Sequence, residues 1–305
     1  MPTVEFVTVD VFTAERFTGN PLAVITDARG LTTEQMQQIA TEFGYSESTF
    51  VLPPEDLANS ARVRIFTPTM EVPFAGHPNV GTAYVLGQQQ DLFGKPVGDR
   101  LRFEEGAGLV EVELVREAGN VTTASIRAPR PLEVGETVAS DLIARCVSIS
   151  PDGIRTDHHA PVFASVGLAF VLAELHDLET LGHARPDLAA YREAAAQHPG
   201  EGLGVAIFLY VRDASRPWQL RARMFAPLDD VPEDPATGSA SGALAAYLVS
   251  RLPEADASIH VTIEQGVEMG RRSIIELDVV KRQGTVTDVR ISGRSIFVMR
   301  GSVEY

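Results

Sequence analysis

Hydrophobic and polar residues alternate over residues 4–12, in a run rich in β-branched side chains, which predicts a strand. Phe17-Thr18-Gly19-Asn20-Pro21 reads as a turn, and residues 22–25 resume the strand. Thr32 and Gln35 have the spacing of a capping box, so a helix should begin there and stop near Gly44. Strands are predicted over 46–52, closed by Pro53-Pro54, and over 62–66. A helix over 78–87 follows, with Pro78 in the first turn, where a missing N–H costs nothing. Short strands at 101–103, 109–115 and 122–128 lead to residues 129–135, the best linker candidate. The second half mirrors the first, with strands over 162–172, 204–211 and 221–225 and helices over 187–197 and 240–252. Closing strands are predicted near 260–264, 274–280, 285–291 and 295–300. The sum is an α+β chain whose mostly antiparallel strands wrap one principal helix per half.

A ten-residue pattern occurs twice. Arg64-Ile-Phe66-Thr-Pro68-Thr-Met-Glu71-Val72-Pro73 aligns without a gap with Arg223-Met-Phe225-Ala-Pro227-Leu-Asp-Asp230-Val231-Pro232, 159 residues later. The first copy continues Phe74-Ala75-Gly76-His77; the second has three additional residues, Glu233-Asp234-Pro235, before Ala236-Thr237-Gly238-Ser239. So long a period does not suit a solenoid. It implies two equivalent halves, each presenting a loop and a helix start to a shared cleft. At 305 residues and 44% hydrophobic, the chain is long enough for two cores.

Both helix starts offer free backbone N–H groups, at Gly76-His77-Pro78 and at Thr237-Gly238-Ser239. A helix N-terminus attracts anions, and glycine lets a ligand approach the backbone. Tight packing of helix on strand would explain one such small-residue start. Two repeated ones at a cleft favour carboxylate binding.

Charge and composition narrow the partners. A formal charge of −15 opposes nucleic-acid backbones and anionic membrane surfaces. No signal peptide is visible at the N-terminus, and the longest apolar stretch, 162–175, is too short to span a bilayer. Cys146 is the only cysteine, so a cytoplasmic protein is the simplest expectation. Neither a phosphate-binding Gly-x-x-x-x-Gly-Lys loop nor a Gly-x-Ser-x-Gly elbow is present, and Gly200-Glu-Gly202-Leu-Gly204 lacks the third dinucleotide glycine. His158-His159 suits a polar loop better than a metal site, so no metal and no cofactor are expected.

Val9-Asp10-Val11-Phe12, Gly19-Asn20-Pro21, Ser46-Glu47-Ser48-Thr49-Phe50, Phe74-Ala75-Gly76-His77-Pro78 and Asp234-Pro235-Ala236-Thr237-Gly238-Ser239 together resemble the phenazine-biosynthesis PhzF family. The motifs occur in the family's order and cover nearly the whole chain. The resemblance implies a duplicated, diaminopimelate epimerase-like fold: two pseudo-symmetric β-barrel-like halves, each around a central helix, with the active site in the cleft between them. The halves are then expected at 1–129 and 130–305, and relatives of this fold raise the prospect that a last strand, about 295–305, joins the first half.

Racemases of this fold use two thiols, one at each helix start. The corresponding positions here are Ala75 and Thr237, neither of which is a usable acid, so a two-thiol racemase is excluded. The resemblance assigns proton transfer to Glu47. Desolvation of a cleft carboxylate favours its neutral form, helping it both take and return a proton. His77 and Asp234 match the family's other polar active-site positions, while Gly76, Gly238 and Ser239 would cradle the substrate carboxylate and Asn20 would line the wall. Asn79 stands where the family usually has threonine.

The implied activity is a cofactor-independent isomerisation of a small, anionic, carboxylate-bearing metabolite, of which dihydro-hydroxyanthranilate is one example, by a homodimer. The rivals are a binding protein without turnover and a lyase or hydrolase that uses Glu47.

Overall fold

The computed structural model describes residues 2–199, 204–213 and 215–305. The Gly200-Glu201-Gly202 segment weighed above lies outside the described residues. The chain forms two compact units, Met1–Arg127 with Ser292–Tyr305, and Ala128–Ile291.

The first unit holds β1 (Thr3–Val11), β2 (Asn20–Ile25), α1 (Thr33–Phe43), β3 (Glu47–Leu52), β4 (Ala61–Phe66), β5 (Glu71–Val72) and α2 (Gly76–Gly87). A small hairpin, β6 (Asp91–Leu92) and β7 (Lys95–Pro96), precedes β8 (Arg100–Glu105), β9 (Gly108–Glu117) and β10 (Asn120–Arg127). β1 and β2 are antiparallel, β2 and β3 parallel, β3 and β4 antiparallel, β4 and β8 parallel, β8 and β9 antiparallel. β10 continues from β9, and the chain's last strand, Thr285–Glu304, pairs with both β10 and β1. The ring of eight strands is closed, which leaves no barrel edge to protect.

α2 runs inside this barrel, and every one of its residues is buried. Its lack of a polar face follows from strands on all sides. The small residues are there because the wall comes close: a Cβ on Gly81 would lie 2.6 Å from Leu22 and 2.7 Å from Val11. α1 lies outside and is amphipathic, burying Met36, Ile39 and Ala40 in a cluster with Ile25, Phe50 and Phe66. Its ends follow the sequence signals, a reciprocal Thr32–Gln35 capping box and a left-handed Gly44 at φ 62°.

The second unit contains β11 (Glu133–Thr137), α3 (Ser140–Cys146), β12 (Val162–Ser165), β13 (Ala169–Glu174), α4 (Leu178–His183), α5 (Leu188–Gln197), β14 (Ile207–Asp213) and β15 (Arg216–Ala226). β16 (Val231–Asp234), α6 (Gly238–Ser250), β17 (Ala257–Gln265), β18 (Ser273–Arg282) and β19 (Thr285–Glu304) follow, β19 leaving this unit at Ile291. From β12 to β18 the pairings run antiparallel, parallel, antiparallel, parallel, antiparallel. That is the order found from β1 to β9. α6, almost wholly buried, packs on β12, β13, β17 and β18 as the counterpart of α2.

Several features depart from the sequence expectations, among them the strands predicted over 285–291 and 295–300, which form the single strand β19. The strand predicted over 162–172 is two strands, β12 and β13, separated by a turn at Gly167 with φ 147°. α3 and α4 were not foreseen, being 7 and 6 residues long and too short for a periodic signal. The repeat register also changes after the first strand of each copy. Arg64 pairs with Glu71 at 2.8 and 2.6 Å and lies over Phe66. Arg223 lies over Phe225 in the same way, but pairs with Glu233 at 2.7 and 2.8 Å, not with Asp230. Ile65 faces Val72 across one ladder, whereas Met224 faces Asp234 across the other. The three additional residues therefore fall in the turn around Pro227–Asp229, where Asp230 adopts φ 58°, and not at Glu233-Asp234-Pro235. Asp234 corresponds to Val72, Thr237 to Ala75, Gly238 to Gly76 and Ser239 to His77.

Candidate active site

In the first unit, the parallel pairing of β2 and β3 sets Leu22 opposite Glu47, the first residue of β3. Asn20 opens β2, and His77 lies in the first turn of α2. The fold thus brings together three residues separated by up to 57 positions. His77 Nδ1 is 3.4 Å from Glu47 Oε2 and 3.5 Å from Asn20 Nδ2. His77 is 5% exposed and Glu47 19%.

Burial lowers the His77 pKa to about 3, an effect only partly opposed by the Pro21 carbonyl. The ring is therefore neutral near pH 7, and its approach to Glu47 is a close polar contact, not an ion pair. His77 Nε2 is buried without a hydrogen-bond partner among the described residues. A polar atom left so is costly unless a ligand completes it. Gly76 is the first residue of α2, preceded by Ala75, which has no side-chain oxygen to cap the helix.

A carboxylic acid not foreseen from the sequence lies behind this turn. Glu105 ends β8, and the hairpin tip beyond it is fastened to Pro73 by an Ala107 N–H to carbonyl bond of 2.9 Å. Burial pushes the Glu105 pKa up to about 8, with the neighbouring Asn79 amide opposing the rise. Asn79 itself donates to the Ala75 carbonyl at 3.0 Å. No short-range pattern links Glu105 to a residue 26 positions earlier.

In the second unit, Asp234 is 7% exposed at the end of β16, and Gly238 and Ser239 open α6. Thr237 at the N-cap makes no side-chain cap; its hydroxyl donates to Asp234 Oδ2 at 2.5 Å. Gln265, fully buried at the end of β17, accepts from the Thr237 N–H at 3.0 Å. Its amide donates to the Asp234 carbonyl at 2.8 Å and to Thr237 Oγ1 at 3.0 Å. The only sequence signal for Gln265 was a glutamine ending a strand before a glycine.

The family profile for phenazine biosynthesis-like proteins matches residues 9–301. The trans-2,3-dihydro-3-hydroxyanthranilate isomerase of Pseudomonas fluorescens is 37% identical over 98% of this chain and 98% of its own length. This chain belongs to the PhzF family. The fold agrees: a PhzF-family protein of Bacillus anthracis superposes with a TM-score of 0.87 over 100% of both chains at 24% identity. A hydroxyproline epimerase of Agrobacterium vitis superposes with a TM-score of 0.66 at 15% identity, covering 99% of this chain and 91% of that one. The duplicated α+β, diaminopimelate epimerase-like architecture is therefore the fold of this PhzF-family chain.

Within that fold, Ala75 and Thr237 occupy the two N-caps, so neither helix start carries a thiol. Cys146 is buried among the apolar residues of the second unit, and burial pushes its thiol up to about 12. A thiol so placed is not a base near neutral pH. Among the described residues no cluster of histidine, cysteine and carboxylate side chains has the form of a metal site. Among the described residues no helix is long and apolar enough to cross a membrane.

Proposed function

We propose that this PhzF-family chain is a cofactor-independent isomerase that moves a proton on a small carboxylate-bearing substrate, with Glu47 as the acid/base. The observation that carries this reading is the Glu47–His77 contact of 3.4 Å at the start of α2, made by an imidazole that burial keeps neutral. The Glu47 carboxylate takes the proton of an activated C–H bond and so becomes the carboxylic acid. The electron pair moves into the substrate's conjugated system, and the Glu47 carboxyl, after exchanging its proton with solvent, delivers a proton to another carbon of that system. His77 orients Glu47 and offers Nε2 to the substrate, while N–H groups at Gly76 stabilise developing negative charge. Asp234, Gly238 and Ser239 are assigned to the substrate's polar groups, and Asn20 to the wall beside His77. The 37% identity to a dihydro-hydroxyanthranilate isomerase makes that compound the first probe.

The experiment is turnover of trans-2,3-dihydro-3-hydroxyanthranilate in deuterated water, wild type beside Glu47→Gln. Wild type is expected to give a product of unchanged composition apart from deuterium taken up at carbon. Glu47→Gln is expected to fold and bind but lose about three to four orders of magnitude in kcat, the upper range for a positioned acid/base. Full activity in Glu47→Gln would remove the assignment. Binding with no exchange would mark a binding protein, and a product of altered mass would mark a lyase or hydrolase.

A further inference from the structure

The network around Thr237 fixes its own donors and acceptors. Gln265 must present its oxygen to the Thr237 N–H, since the flipped amide would set N–H against N–H. Its nitrogen then faces two acceptors, the Asp234 carbonyl and Thr237 Oγ1. With an amide hydrogen delivered to that oxygen, the single Thr237 proton has one remaining direction, toward Asp234 Oδ2 at 2.5 Å. The same side chain thus holds the backbone of Asp234, the N-cap of α6 and the hydroxyl that binds the Asp234 carboxylate.

The backbone beside Gln265 is equally constrained. Gly266 has φ 76°, and a Cβ there would lie 2.4 Å from the Arg271 carbonyl oxygen and 2.6 Å from that of Pro235. The turn following β17 is pressed against the Asp234-Pro235 segment with no space for a side chain. β17 pairs in parallel with β15, setting Gln265 opposite Ala222, and β15 also carries the partner of Asp234, Met224. The position of Gln265 is therefore set by the sheet, and the segment bearing Asp234 is hung from it.

We infer that Gln265 is a positioning residue for Asp234, acting through the Thr237 hydroxyl, and that it thereby sets the orientation of the substrate group Asp234 receives. This rests on the assignment of Asp234 to substrate binding. A chain of fixed donors transmits misplacement directly: a shift of about 1 Å in a positioning group can cost about 10²-fold in rate.

The test is a double-mutant cycle on kcat/KM for trans-2,3-dihydro-3-hydroxyanthranilate, corrected for folded fraction. Gln265→Met keeps the length and removes every hydrogen bond; Thr237→Val removes only the hydroxyl; Thr237→Ser restores it. Gln265→Met and Thr237→Val are each expected to lose about 10²-fold, the double variant no more than either, and Thr237→Ser to stay near wild type. Losses that multiply in the double variant, or an unimpaired Gln265→Met, would overturn the inference. Full activity in Asp234→Ala would instead overturn the assignment beneath it. Should the wild type leave the probe unchanged, the proposed reaction has failed, and a crystal structure of Gln265→Met decides the positioning role separately. Thr237 Oγ1 turned away from Asp234 supports it; an unchanged Thr237–Asp234 hydrogen bond overturns it.

Discussion

His77 and Glu105 are driven in opposite directions by one cause, because burial always disfavours the charged form. His77 falls from 6.5 to about 3, and Glu105 rises from 4.5 to about 8. The consequences for stability differ in sign. For His77 the unfolded chain takes up a proton below about pH 6.5 that the folded chain refuses until about pH 3, so stability is lost as pH falls through that window. Glu105 keeps its proton in the folded state up to about pH 8, whereas the unfolded chain releases it from about 4.5. Its contribution is fully present below pH 4.5 and is lost as pH rises toward 8. Denaturant unfolding between pH 4 and 9 should therefore show a shallower acid-side loss in His77→Asn and a shallower loss between pH 4.5 and 8 in Glu105→Gln. An unchanged slope in Glu105→Gln would mean that its carboxyl is solvated.

At the scale of elements, α1 and α2 have opposite surroundings, and their sequences reflect it. α1 shows the stripe of a helix with one wet face, while α2 is buried all round because the barrel encloses it. Gly81 tests this. Alanine in place of glycine within a helix gains about 0.5–1 kcal/mol from intrinsic preference. At Gly81 the new Cβ would meet Leu22 and Val11 inside 3 Å, and overpacking of a filled core costs about 1–3 kcal/mol. Gly81→Ala should be net destabilising, whereas Gly182→Ala in α4, where a Cβ meets nothing within 4 Å, should be neutral or stabilising. Thermal melts of the two variants check the contrast. A more stable Gly81→Ala would mean that the barrel wall yields.

For the whole molecule, the decisive feature is that the chain passes between its units twice, at Arg127–Ala128 and again within β19 at Ile291–Ser292. The final segment, residues 292–305, belongs to the first barrel, where β19 pairs with both β1 and β10. Removing it opens the ring and exposes the β1 ladder. Hydrogen exchange on a chain ending at Ile291 should show protection lost across residues 3–127 and retained across 128–291. Persistent protection of β1 would show that the last strand is dispensable for closure.

The sequence by itself determined whatever is encoded over a few neighbouring residues. The Thr32–Gln35 cap, the stop at Gly44, the two small-residue helices and the repeated Arg-x-Phe strands were all legible, because caps, periodicity and turn residues act locally. Matching motifs likewise pointed to the PhzF family before any contact was known. Which residues meet across the fold was decided only by tertiary structure. Val231-Pro232 matches Val72-Pro73 in sequence, yet the ion pair of Arg223 with Glu233 and the facing of Met224 with Asp234 shift the true correspondence by three residues. A strand ladder and a buried guanidinium cost far more to mismatch than a turn costs to lengthen, so the additional residues were accommodated in the turn. Glu105 behind Asn79, and Gln265 beneath Asp234, were invisible for the same reason. Their roles depend on partners about 26 and 31 residues away in the chain, brought together by strand pairing and made consequential by burial.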